Sequence, residues 1–117
     1  MGTTIKLYAM SDIKLIRTKK ELQEMYGMSI RTIDKRIAEI RQEMLPGGRY
    51  EGLQYVIGGN GKYLQVNYLV WVDHEMMRER LTQKNLRKSL QPYDPVQVAK
   101  ELALYADKEL ALEGMRG

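Results

Sequence analysis

The sequence predicts an α+β, mainly helical fold. It comprises two helices joined at a glycine, a two-stranded hairpin, a helix packed behind it and an amphipathic helix near the C-terminal end. Three observations predict this. From residue 18 to 44 apolar residues recur at steps of three and four, broken at Gly27. Two strand-like runs, 53–57 and 62–66, flank Gly58-Gly59-Asn60-Gly61, a sequence suited to a tight turn. Finally, Asp94-Pro95 followed by Gln97 opens a stripe of apolar residues at helical spacing.

The elements follow in order. Residues 4–8 alternate as a short strand does, and Ile13 to Ile16 reads as a second extended piece or a lead-in. Thr18-Lys19-Lys20-Glu21 has the form of a capping box, and Leu22, Met25 and Tyr26 give the first helix its stripe. Gly27 ends that helix because glycine tolerates the left-handed C-cap. Ser29 caps a second helix from Ile30 to about Met44, with Ile30, Ile33, Ile37, Ile40 and Met44 on one face. Leu45-Pro46-Gly47-Gly48 closes it. After the hairpin, 67–81 admits two readings: a helix capped by Asn67, or a strand through Trp71 with a helix capped at Asp73. The first is favoured. Residues 83–93 read as a polar connector, and the last helix runs from Pro95 to about Glu113.

A chain of 117 residues, 44% apolar and 29% charged, has the composition of one folded domain with an arm. The expected division is a domain over 1–82, the connector 83–93 and a C-terminal helical arm over 94–117. The absence of cysteine excludes disulfides, thiolate metal sites and cysteine nucleophiles. With no apolar run of membrane-spanning length and no signal-peptide pattern, a cytoplasmic location is expected. The formal charge of +4 is unevenly spread. Residues 14–49 hold nine Lys/Arg against five acids, and 74–93 hold five against two. From Asp94 onward the balance reverses, with five acids against three bases. A basic body suits a polyanion, and a neutral-to-acidic arm suits protein contact.

Two helices crossing at Gly27, with Leu22, Met28, Ile33 and Ile37 placed to pack between them, form a helix-turn-helix pattern, and the hairpin behind them reads as a two-stranded wing. The outward face of the second helix near its start then carries Ser29, Arg31, Thr32, Lys35 and Arg36. Residues in that position reach base edges, while neighbouring Lys/Arg hold phosphates. Lys19 and Lys20, at the start of the first helix, join this set. A plain helical hairpin with a basic face is the alternative.

The run from Thr18 to Ile37, TKKELQEMYGMSIRTIDKRI, resembles the helix-turn-helix of phage and mobile-element DNA-binding proteins of the excisionase/MerR-like winged class. The resemblance spans about residues 15 to 82. It implies double-stranded DNA binding, with the second helix in the major groove and the wing on the neighbouring minor groove or backbone. It also implies a role as excision or recombination accessory factor, or as transcriptional regulator. Under it Arg31, Thr32, Lys35 and Arg36 become groove or phosphate contacts, and Asn60 and Lys62 wing contacts. A packaging or replication-initiation subunit, or a protein-interaction adaptor, remains as an alternative.

Other motifs point elsewhere less well. His74-Glu75-Met76-Met77-Arg78 begins like a zinc-protease helix, but Arg78 stands where the second histidine belongs. His74 is therefore expected at a surface or capping position. Asp73 and Glu75 point to different sides of a helix, and Gly58–Lys62 lacks phosphate-loop spacing. No metal, cofactor or small-molecule substrate is expected, nor an enzyme, because no nucleophile–base pair can be assembled. Trp71 is expected in the core, between wing and helices. The run Arg78, Arg80, Lys84, Arg87, Lys88 reads either as a second phosphate-contacting stretch or as a solvated face. The stripe Val96, Ala99, Leu102, Ala103, Ala106, Leu110 demands a cover, and self-association through this helix is the expectation.

Overall fold

A computed structural model of the chain describes residues 14–103. It is an α+β, mostly helical small domain with a three-stranded antiparallel sheet. The expected strand at 4–8, the end of the last helix and the stripe residues Ala106 and Leu110 lie outside the described residues. The chain divides into a body, Leu15–Tyr93, and a separate unit that includes the residues from Asp94 onward.

In the body, strand β1 (Ile16–Thr18) leads into helix α1 (Lys19–Tyr26) and then helix α2 (Ile30–Glu43). Thr18 completes the capping box: its side chain accepts from Glu21 N, and the Glu21 carboxylate accepts from Thr18 N. Such a cap contributes about 1 kcal/mol. Gly27 ends α1 at φ 64°, donating its N–H to the Gln23 carbonyl. Ser29 caps α2 by accepting from Thr32 N. Local rules of helix start and stop therefore account for the whole two-helix unit.

The hairpin departs from expectation. Strand β2 (Ile57–Gly58) and strand β3 (Gln65–Asn67) are short, and a one-turn 3-10 helix (Gly61–Tyr63) lies between them. Lys62 and Tyr63, expected in a strand, sit in this turn instead. The pairing is Ile57 with Val66 and Gly58 with Gln65, so the connection is a six-residue loop rather than a tight turn. Residues 53–56 form no strand, and Tyr55 at φ 59° interrupts the extended backbone. Burial explains the detour. Val56, Leu64 and Val66 are all buried, and the loop folds so that Gly59 lies against the backbone of Tyr63.

Nor does the hairpin stand alone as a wing. β3 is the central strand, paired on its other side with β1, Ile16 opposite Asn67 and Thr18 opposite Gln65. Each of these strands ends in the residue that caps the next helix. Asn67 accepts from the backbone of Leu69 and Val70 and starts helix α3 (Tyr68–Thr82). The helical reading of this span therefore holds. Because β1 and β3 are antiparallel, α1 and α3 leave the sheet from opposite ends.

The core is made by Leu22 of α1, Ile33, Ile37 and Ile40 of α2, Val56, Leu64 and Val66 of the hairpin, and the first two turns of α3. Every residue from Tyr68 to His74 is buried, so this half of α3 is enclosed on all sides. Trp71 is fully buried and meets the Tyr26 ring edge-on, as its expected core role requires. Burying each large aliphatic side chain stabilises the fold by about 1.5–3 kcal/mol.

Residues 83–93 are not a connector. They contain a one-turn helix, α4 (Lys84–Arg87), and stay with the body: Arg87 pairs with Glu43, and the Tyr93 ring packs edge-on against Tyr50. Their polar composition hid this, because the contacts are charged and aromatic rather than an apolar stripe. In the second unit Asp94 caps a helix over 95–103 by accepting from Val96 N and Gln97 N, and Val98 and Ala99 are its buried residues. Val96, expected on the buried stripe, is exposed.

The turn after α2 is sterically tight at Gly48, where a Cβ would collide with the Glu43 carbonyl. We expect Gly48→Ala to lower stability by about 1–3 kcal/mol in a denaturant titration, as overpacking does. At Gly27 the same Cβ would meet no atom, so Gly27→Ala should carry backbone strain of about 1 kcal/mol alone.

Candidate nucleic-acid interface

One flank of α2 is committed to the protein interior by ion pairs. Positions 36, 39 and 43 share it, as steps of three and four dictate. Arg36 donates from Nε to Glu75 at 2.9 Å. Glu39 receives Arg78 through Nε at 2.8 Å and Nη2 at 3.0 Å. Glu43 receives Arg87 through Nη2 at 2.6 Å and Nη1 at 2.8 Å. Thus α2 is bolted to α3 and α4 at three levels along its length.

A buried network closes the far end. Arg49 forks onto Asp73 through Nε at 2.7 Å and Nη2 at 3.0 Å, and Tyr50 donates its hydroxyl to the same carboxylate at 2.6 Å. The third guanidinium nitrogen donates to the Gln91 carbonyl at 2.5 Å. Backbone bonds tie this group to α2: Tyr50 N donates to the Glu43 carbonyl, and Arg49 N to the Glu43 carboxylate. Burial and then the bond to Asp73 push the Tyr50 hydroxyl up, so it stays a donor. The bond to Asp73 raises Arg49 further still. At the other end of the body, Tyr26 and Tyr68 join hydroxyls at 3.0 Å, and the Arg17 guanidinium lies over the Tyr68 ring at 5.1 Å.

His74 corrects an expectation. It is 2% exposed, neither a surface nor a capping position, because α3 is enclosed on all sides there. Its Nε2 lies 3.6 Å from Glu39, and its Nδ1 is buried without a hydrogen-bond partner. Burial lowers its pKa, outweighing the pull of Glu39, so the ring is held neutral. For Glu39, burial acts upward, but the Arg78 hydrogen bond and the surrounding cations outweigh it and hold the carboxyl below its usual range. The Arg87 bond does the same for Glu43.

The sequence-predicted site residues divide accordingly. Arg31 and Lys35 stand one turn apart on the exposed face of α2. Ser29 is exposed and Thr32 half-buried at the start of that helix, with their hydroxyl oxygens 3.1 Å apart. Lys20 is exposed on α1. Arg36 is not in this group, since its side chain is 16% exposed and turned to Glu75. Lys19 is half-buried and held by Asp34 at 2.7 Å. On the hairpin loop, Asn60 is exposed, and Lys62 places its Nζ 5.1 Å from the centre of the Tyr63 ring. Of the run after His74, Arg78 and Arg87 are bound to α2, whereas Arg80, Lys84 and Lys88 are exposed.

Sequence reasoning passed over Arg49, Tyr50, Glu39 and Glu43. The partners of this set lie 23 to 44 residues away along the chain, and no local pattern couples them. The weak available signal was Asp73 within an apolar helix, where a carboxylate implies a buried cation nearby.

These pairs decide where charge remains. In the body, Arg17, Lys19, Arg36, Arg49, Arg78 and Arg87 are matched by Glu21, Asp34, Glu75, Asp73, Glu39 and Glu43. Among the described residues of the body, eight cations have no ion-pair partner: Lys20, Arg31, Lys35, Arg41, Lys62, Arg80, Lys84 and Lys88. The acids left over are three, Glu24, Glu51 and Glu79. Each pair uses one acid and one base, so the body's excess of cations is left among the unpaired side chains. Among the described residues no group of three or more His, Cys, Asp or Glu is placed to hold a metal ion, and no helix is long and apolar enough to cross a membrane.

Comparison of the chain with protein-family models, with curated proteins and with solved structures finds no match in any of the three.

Two outcomes test this frame. Arg49→Met should destabilise by about 3–5 kcal/mol, because it strands the Asp73 carboxylate, while Tyr50→Phe should cost about 1.5–3 kcal/mol, the size of a hydrogen bond to a charged group. Both are read by chemical denaturation. The second outcome concerns pH. A histidine held neutral in the fold but able to bind a proton when unfolded makes stability fall as pH drops below the unfolded value of about 6.5. The Glu39 and Glu43 carboxylates, depressed in the fold, add a further loss only as pH falls below about 4.5. Melting midpoints should therefore decline between pH 7 and 5.5, and His74→Met should flatten that decline. Equal slopes in the two proteins would refute the assignment.

Proposed function

We propose that the chain is a sequence-specific double-stranded DNA-binding protein of winged helix-turn-helix type. In this reading α2 lies in the major groove and the β2–β3 hairpin meets the adjacent backbone or minor groove. The observation that carries the reading is the division of α2. Its flank at 36, 39 and 43 is fixed to the protein, while Arg31 and Lys35 are left exposed without ion-pair partners near its start. A rigidly held helix with donors at its outward N-terminal end is what base readout requires. No acidic residue occupies the first turn of α2, so the helix dipole there also favours an anion. Lys20 and the remaining unmatched cations supply phosphate contacts. Exposed Ile30, beside Arg31, offers an apolar contact to a thymine methyl. The resemblance to phage and mobile-element proteins favours a role in excision or recombination, or in promoter control.

Within this reading Arg36 and Lys19 support the interface rather than touch DNA. We expect Arg31→Ala to cost about 1–3 kcal/mol of binding and to relax sequence preference. Lys35→Ala should weaken binding to all sequences alike and reduce the salt slope, about −0.9 per phosphate neutralised, by about one contact. Arg36→Ala should lower the melting midpoint instead. A binding selection on randomised duplex, followed by salt titrations of the three variants, checks the set. Unaltered binding by the Arg31→Ala, Lys35→Ala double variant would refute α2 as the reading helix.

A further inference from the structure

We infer that Tyr55, two residues before β2, and Tyr63, in the β2–β3 loop, are stacking contacts for unpaired bases, so that the protein favours DNA with a gap over intact duplex. This rests on the DNA-binding reading above and adds a structural preference to it. Tyr55 is 92% exposed and Tyr63 71% exposed, the two most exposed large apolar side chains among the described residues. The fold makes no use of either ring as packing.

Both rings are nonetheless held out by anchored backbone. Each tyrosine directly precedes a buried residue, Val56 or Leu64. The Val56 carbonyl accepts from Asn67 N at 2.7 Å, and Tyr63 N donates to the Asn60 carbonyl at 3.0 Å. Neighbours pinned to the core fix where the Cα–Cβ bond of each tyrosine leaves the backbone. At Tyr55 this requires a left-handed backbone, φ 59°, which is unfavourable for a bulky side chain. An asparagine or glycine would take that conformation with less strain. Strain of this kind, carried by a solvent-exposed aromatic, points outward to a ligand rather than inward to the core.

Charge selects the ligand. From Leu53 to Val72 the chain contains no acidic residue. Lys62 sets its ammonium 5.1 Å from the Tyr63 ring centre, so a cation and a π-face are presented together. A flat aromatic beside a cation suits a nucleobase next to its phosphate, since every base offers a face for stacking. In an intact duplex both faces of each base are already stacked. The accessible target is a base freed from the stack, at a gap or in a single strand.

The experiment uses the full chain and fluorescence anisotropy with three labelled DNAs: a duplex, the same duplex with a short gap, and the single strand. We expect the wild type to bind the gapped duplex about 5- to 150-fold tighter than the intact one, the range that stacking of one base spans. Tyr55→Ala and Tyr63→Ala should each reduce that margin, measured as the ratio of gapped to intact affinity, and the double variant should abolish it. Tyr63→Trp supplies an independent readout in a folded chain: its emission should be quenched on gapped DNA or single strand, and not on intact duplex. Equal affinity of the wild type for gapped and intact DNA, or an undiminished margin in the double variant, overturns the inference while leaving duplex binding standing. Absence of binding to all three DNAs overturns the DNA-binding reading itself, and this inference with it.

Discussion

The carboxylate of Asp73 must be neutralised inside the protein, and much of the structure is arranged to do so. It sits on α3 among buried apolar residues, where an unpaired charge costs several kcal/mol. Arg49 and Tyr50 supply three hydrogen bonds to it. To place them there, the chain after α2 must turn back at once, which the tight approach of Gly48 to Glu43 permits. The same Glu43 then accepts from the backbone of Arg49 and Tyr50 and holds Arg87. Arg49 in turn reaches the Gln91 carbonyl, and Tyr50 meets Tyr93. One buried carboxylate thus links the end of α2, the middle of α3 and the segment 83–93. A network of this kind adds less to stability than an apolar replacement could, but it admits one arrangement of the three segments.

This arrangement also determines what the surface presents. Each internal ion pair removes one acid and one base, and the body starts with more bases than acids. After six pairs the imbalance is concentrated among exposed side chains, with Arg31 and Lys35 on the outward side of α2. A charge tally along the sequence cannot tell Lys35 from Arg36 in advance. The two are adjacent on this helix, yet one is exposed and the other is bound to Glu75. The difference is the turn of about 100° between successive helical residues, read against where α3 happens to lie.

The two-helix unit was legible almost residue by residue, because its determinants are local. Thr18 and Glu21, Gly27, and Ser29 and Thr32 act over one to four positions, and Leu22, Ile33, Ile37 and Ile40 mark the buried face. Met25, Tyr26 and Ile30, at the helix ends beside the turn, are exposed although expected on the same stripes. Asn67 as a cap was legible for the same reason. The hairpin was legible as a pair of runs around glycines but not in its details. Alternation in 53–57 and 62–66 suggested long strands, whereas the requirement to bury Val56 and Leu64 shortened them and left Tyr55 and Tyr63 outside. The part played by β1 was missed as well, since three residues carry too little pattern to announce the partner of a central strand.

By itself, then, the sequence determined the α+β, mainly helical character of the body, the starts and stops of α1, α2 and α3, and the side of α2 turned to the core through Ile33, Ile37 and Ile40. These depend on hydrogen bonds and apolar periodicity within a few residues, which any chain carries in its own order. Tertiary structure alone decided the partners of Asp73, Glu39 and Glu43, the burial of His74, the inclusion of 83–93 in the body, and the pairing of Arg36 with Glu75 and of Lys19 with Asp34. Nearly all of these are encounters between side chains far apart along the chain; even Lys19 and Asp34 belong to different helices. Charge makes them strong only when packing has first removed the water. The fold class was written in local spacing, whereas the face that α2 leaves open was settled by what its other faces had already bound.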